Sequence, residues 1–299
     1  MTNLVNALLP RVTLIIVSAV ALAAFAWPFV TESALAFALL PVLLIIVALA
    51  LDRSLYSGTI VAMLGVLTAV ATTLRLMSTG FGGFELVFTI VILSGAAYGA
   101  RFGFLLGVTT IFTSSLIWGG IGPWSAFQAF ALGWVGAGAG LLMRRARHRK
   151  LVRNSRLVPL HVVALAAYGA VASYAFGVLM NLWFWPIATG PETAISFVDG
   201  APFVENAQRF IGYTLVTSTL TWDTVRAVTT VVGILATGAT VLRALGRAPI
   251  SKPVVNPTVA IATKPRSTSP QGDETRTRRS TVRDATATLP KAPRRSAQV

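Results

Sequence analysis

The chain has 299 residues, of which 55% are hydrophobic and only 12% charged, and its mean hydropathy is +0.72. A soluble domain carries about 25% charged residues, so this composition excludes an ordinary water-soluble fold. The absence of cysteine excludes disulfides, thiolate metal sites and cysteine nucleophiles. A net charge of +15 invites a nucleic-acid partner, but placement decides otherwise. Residues 144–156 hold seven Lys and Arg and residues 243–299 hold twelve. Neither segment interleaves aromatic residues as a stacking platform for single strands would. Both adjoin long apolar runs, so the basic residues report topology and no nucleic-acid partner is expected.

A hydrocarbon core of about 30 Å takes about 20 apolar residues per helix. Runs of that kind fall at 12–30, 34–51, 57–74, 84–100, 102–118, 125–143, 159–183 and 210–242. They predict an all-α polytopic membrane bundle of eight transmembrane helices. Three regions follow: 1–56 with two N-terminal helices, 57–243 as a six-helix core, and 244–299 as a basic cytoplasmic tail. The first run has a rival reading. Arg11, an apolar stretch and Ala24-Phe25-Ala26 also resemble a cleavable signal peptide. Between the fourth and fifth spans only Arg101 intervenes. Fusing them would make a helix too long for a bilayer, so a tight turn is expected there.

Orientation follows from the Lys/Arg bias of short loops. With the N-terminus inside, the cytoplasm receives Arg11, Arg53, Arg101, the 144–156 cluster and the tail. The outside receives Glu32, Glu85, Glu192, Asp199 and Glu205, with only Arg75 and Arg209 basic. Both termini are then cytoplasmic, and the protein belongs to the cell (cytoplasmic) membrane. The tail is rich in Pro, Thr, Ser, Ala and Arg, with too few large apolar residues to offset the entropy of ordering. Its positive charge suits the anionic inner leaflet of the lipid bilayer, or simply solvent.

Small residues form seams on two spans. The third carries Gly58, Ala62, Gly65 and Ala69, and the sixth carries Ala129, Gly133, Gly136 and Gly140 at the same spacing. Each set lies on one helix face, where another backbone can approach closely. Such a seam serves either internal packing or docking of a separate subunit. Gly99, Gly103 and Gly107 make a third set, interrupted by Arg101.

Polar and aromatic residues concentrate at the predicted outer side. Phe84 and Glu85 follow Gly82-Gly83 between spans three and four. Trp118 and Trp124 bracket a Gly-rich linker, followed by Gln128. Asn181 and Trp183 close span seven near Pro186, and Trp222, Asp223 and Arg226 open span eight. A Gly-rich segment between two Trp residues can bring backbone donors and flat faces to one ligand. The same Trp residues can also be interface anchors. Asp223 and Arg226, three apart, share a helix face. Ionisable residues at this depth mark a function or a structural ion pair against Arg75 or Glu85.

No G-x-x-x-x-G-K-[ST] phosphate loop is present. His148 and His161 lie at the cytoplasmic margin, away from the outer polar clusters. No catalytic residue, metal ligand or cofactor is therefore expected, and the chain is not read as an enzyme.

The chain is similar to the substrate-specific (S) component of bacterial energy-coupling factor (ECF) transporters. The likeness is carried by residues 69–75 with Gly83-Phe84-Glu85, Phe102-Gly103-Phe104 through Gly107, and Gly119-Gly120-Ile121-Gly122-Pro123-Trp124 with Phe127-Gln128. It continues in Trp134-Val135-Gly136, Gly140-Leu141-Leu142, Asn181-Leu182-Trp183-Phe184-Trp185-Pro186, and Trp222-Asp223 with Arg226-Ala227. The resemblance implies a six-helix unit that binds a vitamin-like small molecule from outside. That unit then joins a transmembrane coupling subunit and two ATPase subunits. Members with the G-x-G-P-W type of loop look similar to proteins linked to cobalamin or its precursors. The A-x-x-x-A docking motif of some S components is absent from the third span. Gly58-x-x-x-Ala62 and Gly65-x-x-x-Ala69 stand in its place. Two other classes remain: a self-sufficient secondary transporter, which would show an internal repeat and broken helices, and a membrane scaffold whose tail recruits a partner.

The topology has a direct test. A reporter active only in the cytoplasm should be active when fused after Arg149 or Val299 and silent when fused after Asp199. Activity at Asp199 would refute the eight-span arrangement.

Overall fold

The computed structural model describes residues 2–26, 41–42, 44–45, 58–78, 82–118, 120–144, 158–188 and 193–247, all within one compact unit, Met1–Pro253. The described residues form helices joined by turns, with no strand among them. In chain order they are α1 (Thr2–Phe25), α2 (Gly58–Ser78), α3 (Val87–Tyr98), α4 (Ala100–Trp118), α5 (Pro123–Leu142), α6 (Val158–Ala188), α7 (Phe203–Thr214), a π-helical segment (Leu215–Asp223) and α8 (Thr224–Arg247). Five helices among the described residues are long and apolar enough to cross a bilayer: α2, α4, α5, α6 and the continuous helix Phe203–Arg247. The chain is a multi-pass α-helical membrane protein. The second predicted span apart from residues 41–42 and 44–45, the 144–156 cluster beyond Arg144 and the tail beyond Arg247 lie outside the described residues.

Several boundaries differ from expectation. The eighth span was expected at 210–242, but one helix runs from Phe203 to Arg247. At 1.5 Å per residue its 45 residues extend roughly 68 Å, well beyond a core of about 30 Å. Its first part therefore projects past the bilayer. There, Trp185 of α6 donates from Nε1 to the Ile195 carbonyl at 2.7 Å and packs edge-on against Phe197. Asn206 brackets Val198 through both its amide oxygen and its nitrogen. Span seven does not end at Pro186, because α6 continues to Ala188.

The tight turn expected at Arg101 falls two residues earlier and is one residue long, with Arg101 inside α4. Gly99, at φ 109°, separates α3 from α4. That backbone region favours glycine, since a Cβ would strain it. α5 starts cleanly because Pro123 occupies its first turn, and because Gly122 N–H donates to Ser125 Oγ at 3.0 Å while Ser125 N–H donates to the Gly122 carbonyl at 2.9 Å.

The core is an α3–α4–α5 sandwich held at backbone contact. A Cβ on Gly136 would run into the backbone of Gly103, and one on Gly95 or Gly103 into that of Gly136. Gly107 sits against Gly133 and Leu132, and Gly140 against Gly99 and Ala100. The sixth-span seam is thus internal packing, joined by the Gly103 and Gly107 set. The third-span seam is different. Gly58, Ala62, Gly65 and Ala69 are all exposed, and a Cβ on Gly58 or Gly65 would meet nothing within 4 Å. α1 packs on α5, with Phe25 buried against Phe127 and Trp134 and with Trp134 Nε1 donating to Ser18 Oγ. Phe25, which sits in the small-residue stretch considered for cleavage, is a core residue.

Overpacking a tight core costs about 1–3 kcal/mol, and more where only backbone faces the new atoms. Gly136→Val should therefore lower the unfolding free energy in detergent by about 3 kcal/mol. Gly65→Val should change it by less than about 0.5 kcal/mol. Equal melting curves for the two variants would contradict the seam.

Candidate functional site

Helix length places the site. α3 has 12 residues, roughly 18 Å of helix, against a hydrocarbon core of about 30 Å. One end of α3 is tied to the Gly99 end of the bundle, where Tyr98 donates from its hydroxyl to the Leu245 carbonyl at 3.0 Å. Its other end, Val87, therefore stops short of the opposite surface, and the turn at 82–86 dips inward to meet it. Gly82 and Gly83, both at positive φ, make that turn. A Cβ on Gly83 would strike the Trp222 backbone, so glycine lets the turn lie directly against the long helix.

The dip delivers Glu85 to Arg226. Arg226 Nε lies 3.2 Å from Glu85 Oε2, and Nη2 donates to Oε1 at 3.4 Å. The Nε contact is within ion-pair distance but is not aligned as a hydrogen bond. On its other side Arg226 donates from Nη1 to Asp223 Oδ1 at 2.6 Å. Asp223 is 1% exposed and accepts a further bond from Ser218 Oγ. Gly177 of α6 lies where any side chain would collide with the Asp223 carboxylate. The guanidinium is flanked by aromatic faces, 5.6 Å from the Phe88 centroid and 5.0 Å from that of Phe176. Both contacts are cation–π distances.

Opposite this cluster stands Arg75 of α2. It donates to Ser114 Oγ at 2.8 Å and to Gln128 Oε1 at 3.2 Å. Arg75, Glu85, Gln128 and Arg226 line one cavity of about 160 Å³, and Phe88, Ile111, Leu132, Phe176 and Met180 supply most of its apolar wall. Two arginines, a carboxylate and an amide facing an apolar chamber suit recognition of a small polar-headed molecule. Among the described residues, no group of three or more His, Asp or Glu is placed to hold a metal ion.

Of the residues singled out from sequence, Glu85, Gln128 and Arg226 line this cavity, and Asp223 supports it from behind. The others lie elsewhere. Trp118 is 64% exposed and Trp124 42% exposed, so both project from the bundle. Phe84 is exposed beside its turn. Trp183 is buried, tilted against Phe127 at 5.5 Å and stacked on Phe184. Asn181, one turn beyond Gly177 on α6, buries its Nδ2 without a hydrogen-bond partner and is not part of the cavity wall. Arg75 was seen in the sequence as a neighbour of the cluster but not as a site residue. Its acceptors, 39 and 53 positions away, are brought to it only by tertiary packing.

Catalogued protein families, characterised proteins and solved structures contain no match to this chain.

The two carboxylates should differ in their effect on stability. Removing one partner of a buried pair costs about 3–5 kcal/mol, so Asp223→Asn should destabilise the solubilised protein by about 3 kcal/mol. Glu85 has a side chain 32% exposed, and exposed pairs contribute about 0–1 kcal/mol. Glu85→Gln should therefore melt close to the parent. Equal losses would show that both carboxylates hold the fold.

Proposed function

We propose that this protein is the substrate-capturing membrane subunit of an energy-coupling factor importer. It takes a vitamin-like small molecule from outside and passes it inward together with a transmembrane coupling subunit and two ATPase subunits. The observation that carries this reading is the charged cavity at the end of the bundle that bears the 82–86 turn. The Lys/Arg bias assigns that end to the outside of the cell membrane and both termini to the cytoplasm. A recognition chamber in the outer half is what a capture subunit requires.

Two further features support the reading. The chain carries no phosphate loop, as suits a capture subunit that relies on separate ATPase subunits. The face of α2 bearing Gly58, Ala62, Gly65 and Ala69 is exposed and has room beyond it, as a surface for close helix docking needs. A corrinoid far exceeds a chamber of about 160 Å³. Capture of cobalamin would require the outer end to open widely.

A second reading, a self-sufficient secondary transporter, draws on the half-length helix α3 and the π-helical break in the last long helix. Such discontinuous helices line midplane sites in secondary transporters. Copurification from mild detergent separates the two. The capture subunit should bring down a membrane coupling subunit and ATPases and retain a small molecule identifiable by mass spectrometry. A secondary transporter comes down alone. Gly65→Leu should reduce uptake at least tenfold, of order 1.4 kcal/mol, while ligand binding in detergent persists. Loss of uptake and binding together would assign the seam to internal packing.

A further inference from the structure

The two carboxylates around Arg226 are held very differently, and the difference points to the chemistry of the cargo. Asp223 is locked. It is buried, bonded by Ser218 and by Arg226 at 2.6 Å, and pressed against Gly177. Glu85 is carried outside any helix on a turn with two positive-φ glycines, and about a third of its side chain is exposed. Its contacts to Arg226, at 3.2 and 3.4 Å, are longer than the 2.7–2.9 Å of a good charge-assisted bond. Glu85 thus fills a carboxylate position at Arg226 without engaging it well.

The geometry at Arg226 sharpens the point. With Glu85 swung out, the Nε and Nη2 edge of Arg226 opens to one carboxylate while Nη1 stays on Asp223. Apart from Gln128 the remaining wall is apolar, from Val87, Phe88, Ile111, Leu132, Phe176 and Met180. A volume of about 160 Å³ is close to the roughly 150 Å³ of an engineered apolar cavity that binds benzene.

We infer that the cargo is a small monocarboxylate with an apolar body about the size of one ring, and that Glu85 is a tethered competitor for its carboxylate position. On loading, the ligand carboxylate takes the Glu85 place at Arg226 in the cavity that Arg75 also lines, and Glu85 moves toward solvent. This inference rests on the capture-subunit reading and deepens it.

The test is calorimetric binding to the full-length protein in mild detergent. The probes are benzoate, nicotinate and hexanoate, each against its amide, with cyanocobalamin as the large comparator. At least one carboxylate should bind, and its amide should bind at least about tenfold more weakly. Glu85→Gln should tighten carboxylate binding about tenfold, because the internal competitor is gone. Arg75→Gln should weaken it more than about tenfold. Arg75→Lys, which keeps the charge, should lose less and serves if Arg75→Gln does not fold. Amides binding as well as acids, or Glu85→Gln weakening the acid, would overturn the inference. If cyanocobalamin or an uncharged molecule binds and Arg75→Gln abolishes it, the inference fails while the capture reading stands. If no probe binds, the small molecule retained by the native protein decides. A single-ring-sized monocarboxylate supports the inference and any other retained molecule overturns it. Retention of nothing at all brings down both readings.

Discussion

A guanidinium within an apolar bundle has to be neutralised where it sits, and much of this structure is arranged around that requirement at Arg226. An unpaired buried charge costs several kcal/mol even after relaxation. Three chain segments therefore converge on one side chain. The π-helical segment supplies Asp223 and Ser218, α6 supplies the Ser173 carbonyl at 3.4 Å and the Phe176 face, and the 82–86 turn supplies Glu85. Each approach depends on a missing side chain. Gly177 clears the Asp223 carboxylate, and Gly83 clears the Trp222 backbone. The π winding contributes directly, because residues five apart face one another along it. Ser218 reaches Asp223, and Thr224 Oγ1 donates to the Thr219 carbonyl at 2.6 Å. In an α-helix those pairs would diverge.

A different kind of cohesion holds the other side of the bundle. α3, α4 and α5 meet through glycine against glycine backbone, at a distance no side chain would allow. α2 has no such seam toward them. It packs through the buried Leu64, Leu67 and Ala71, reinforced by polar pairs: Thr68 and Thr109 hydroxyls meet at 2.8 Å, and Arg75 reaches Ser114 and Gln128. The bundle thus combines a glycine-to-glycine sandwich with a helix joined to it by ordinary side-chain packing.

Legibility from sequence followed the range of the interactions. The Asp223–Arg226 pair was readable because three-residue spacing puts both on one helix face. The break at Gly99 was readable because a bilayer limits helix length. The two small-residue seams share the same spacing, yet one is buried and the other exposed. Spacing shows that a face is small, whereas what lies against it is decided elsewhere in the chain. Trp118 and Trp124 drew attention through composition but project outward, as residues chosen for an interface level do. Arg75 escaped selection because its acceptors are distant in sequence. The extended helix from Phe203 was obscured by Glu205 and Arg209. That pair reads as loop polarity and in the structure is an i,i+4 ion pair at 2.9 Å on a helix outside the bilayer.

The combination has a physical consequence for how a ligand can enter and be sensed. A chamber bearing two arginines and one fixed carboxylate would attract water and counter-ions strongly, and closing it would be costly. Glu85, on the 82–86 turn, brings a carboxylate into that chamber. Under the proposed loading, binding is an exchange of one carboxylate for another at Arg226, with far less net desolvation than inserting a charge into an apolar site. The helix that carries Arg75 also carries the exposed Gly58–Ala69 face about two to five turns away, on a helix whose rise is about 5.4 Å per turn. Arg75 lines the chamber and bonds to Ser114 of α4 and Gln128 of α5. The chamber wall and the exposed small-residue face therefore belong to one helix, which is what the proposed coupling of capture to docking draws on.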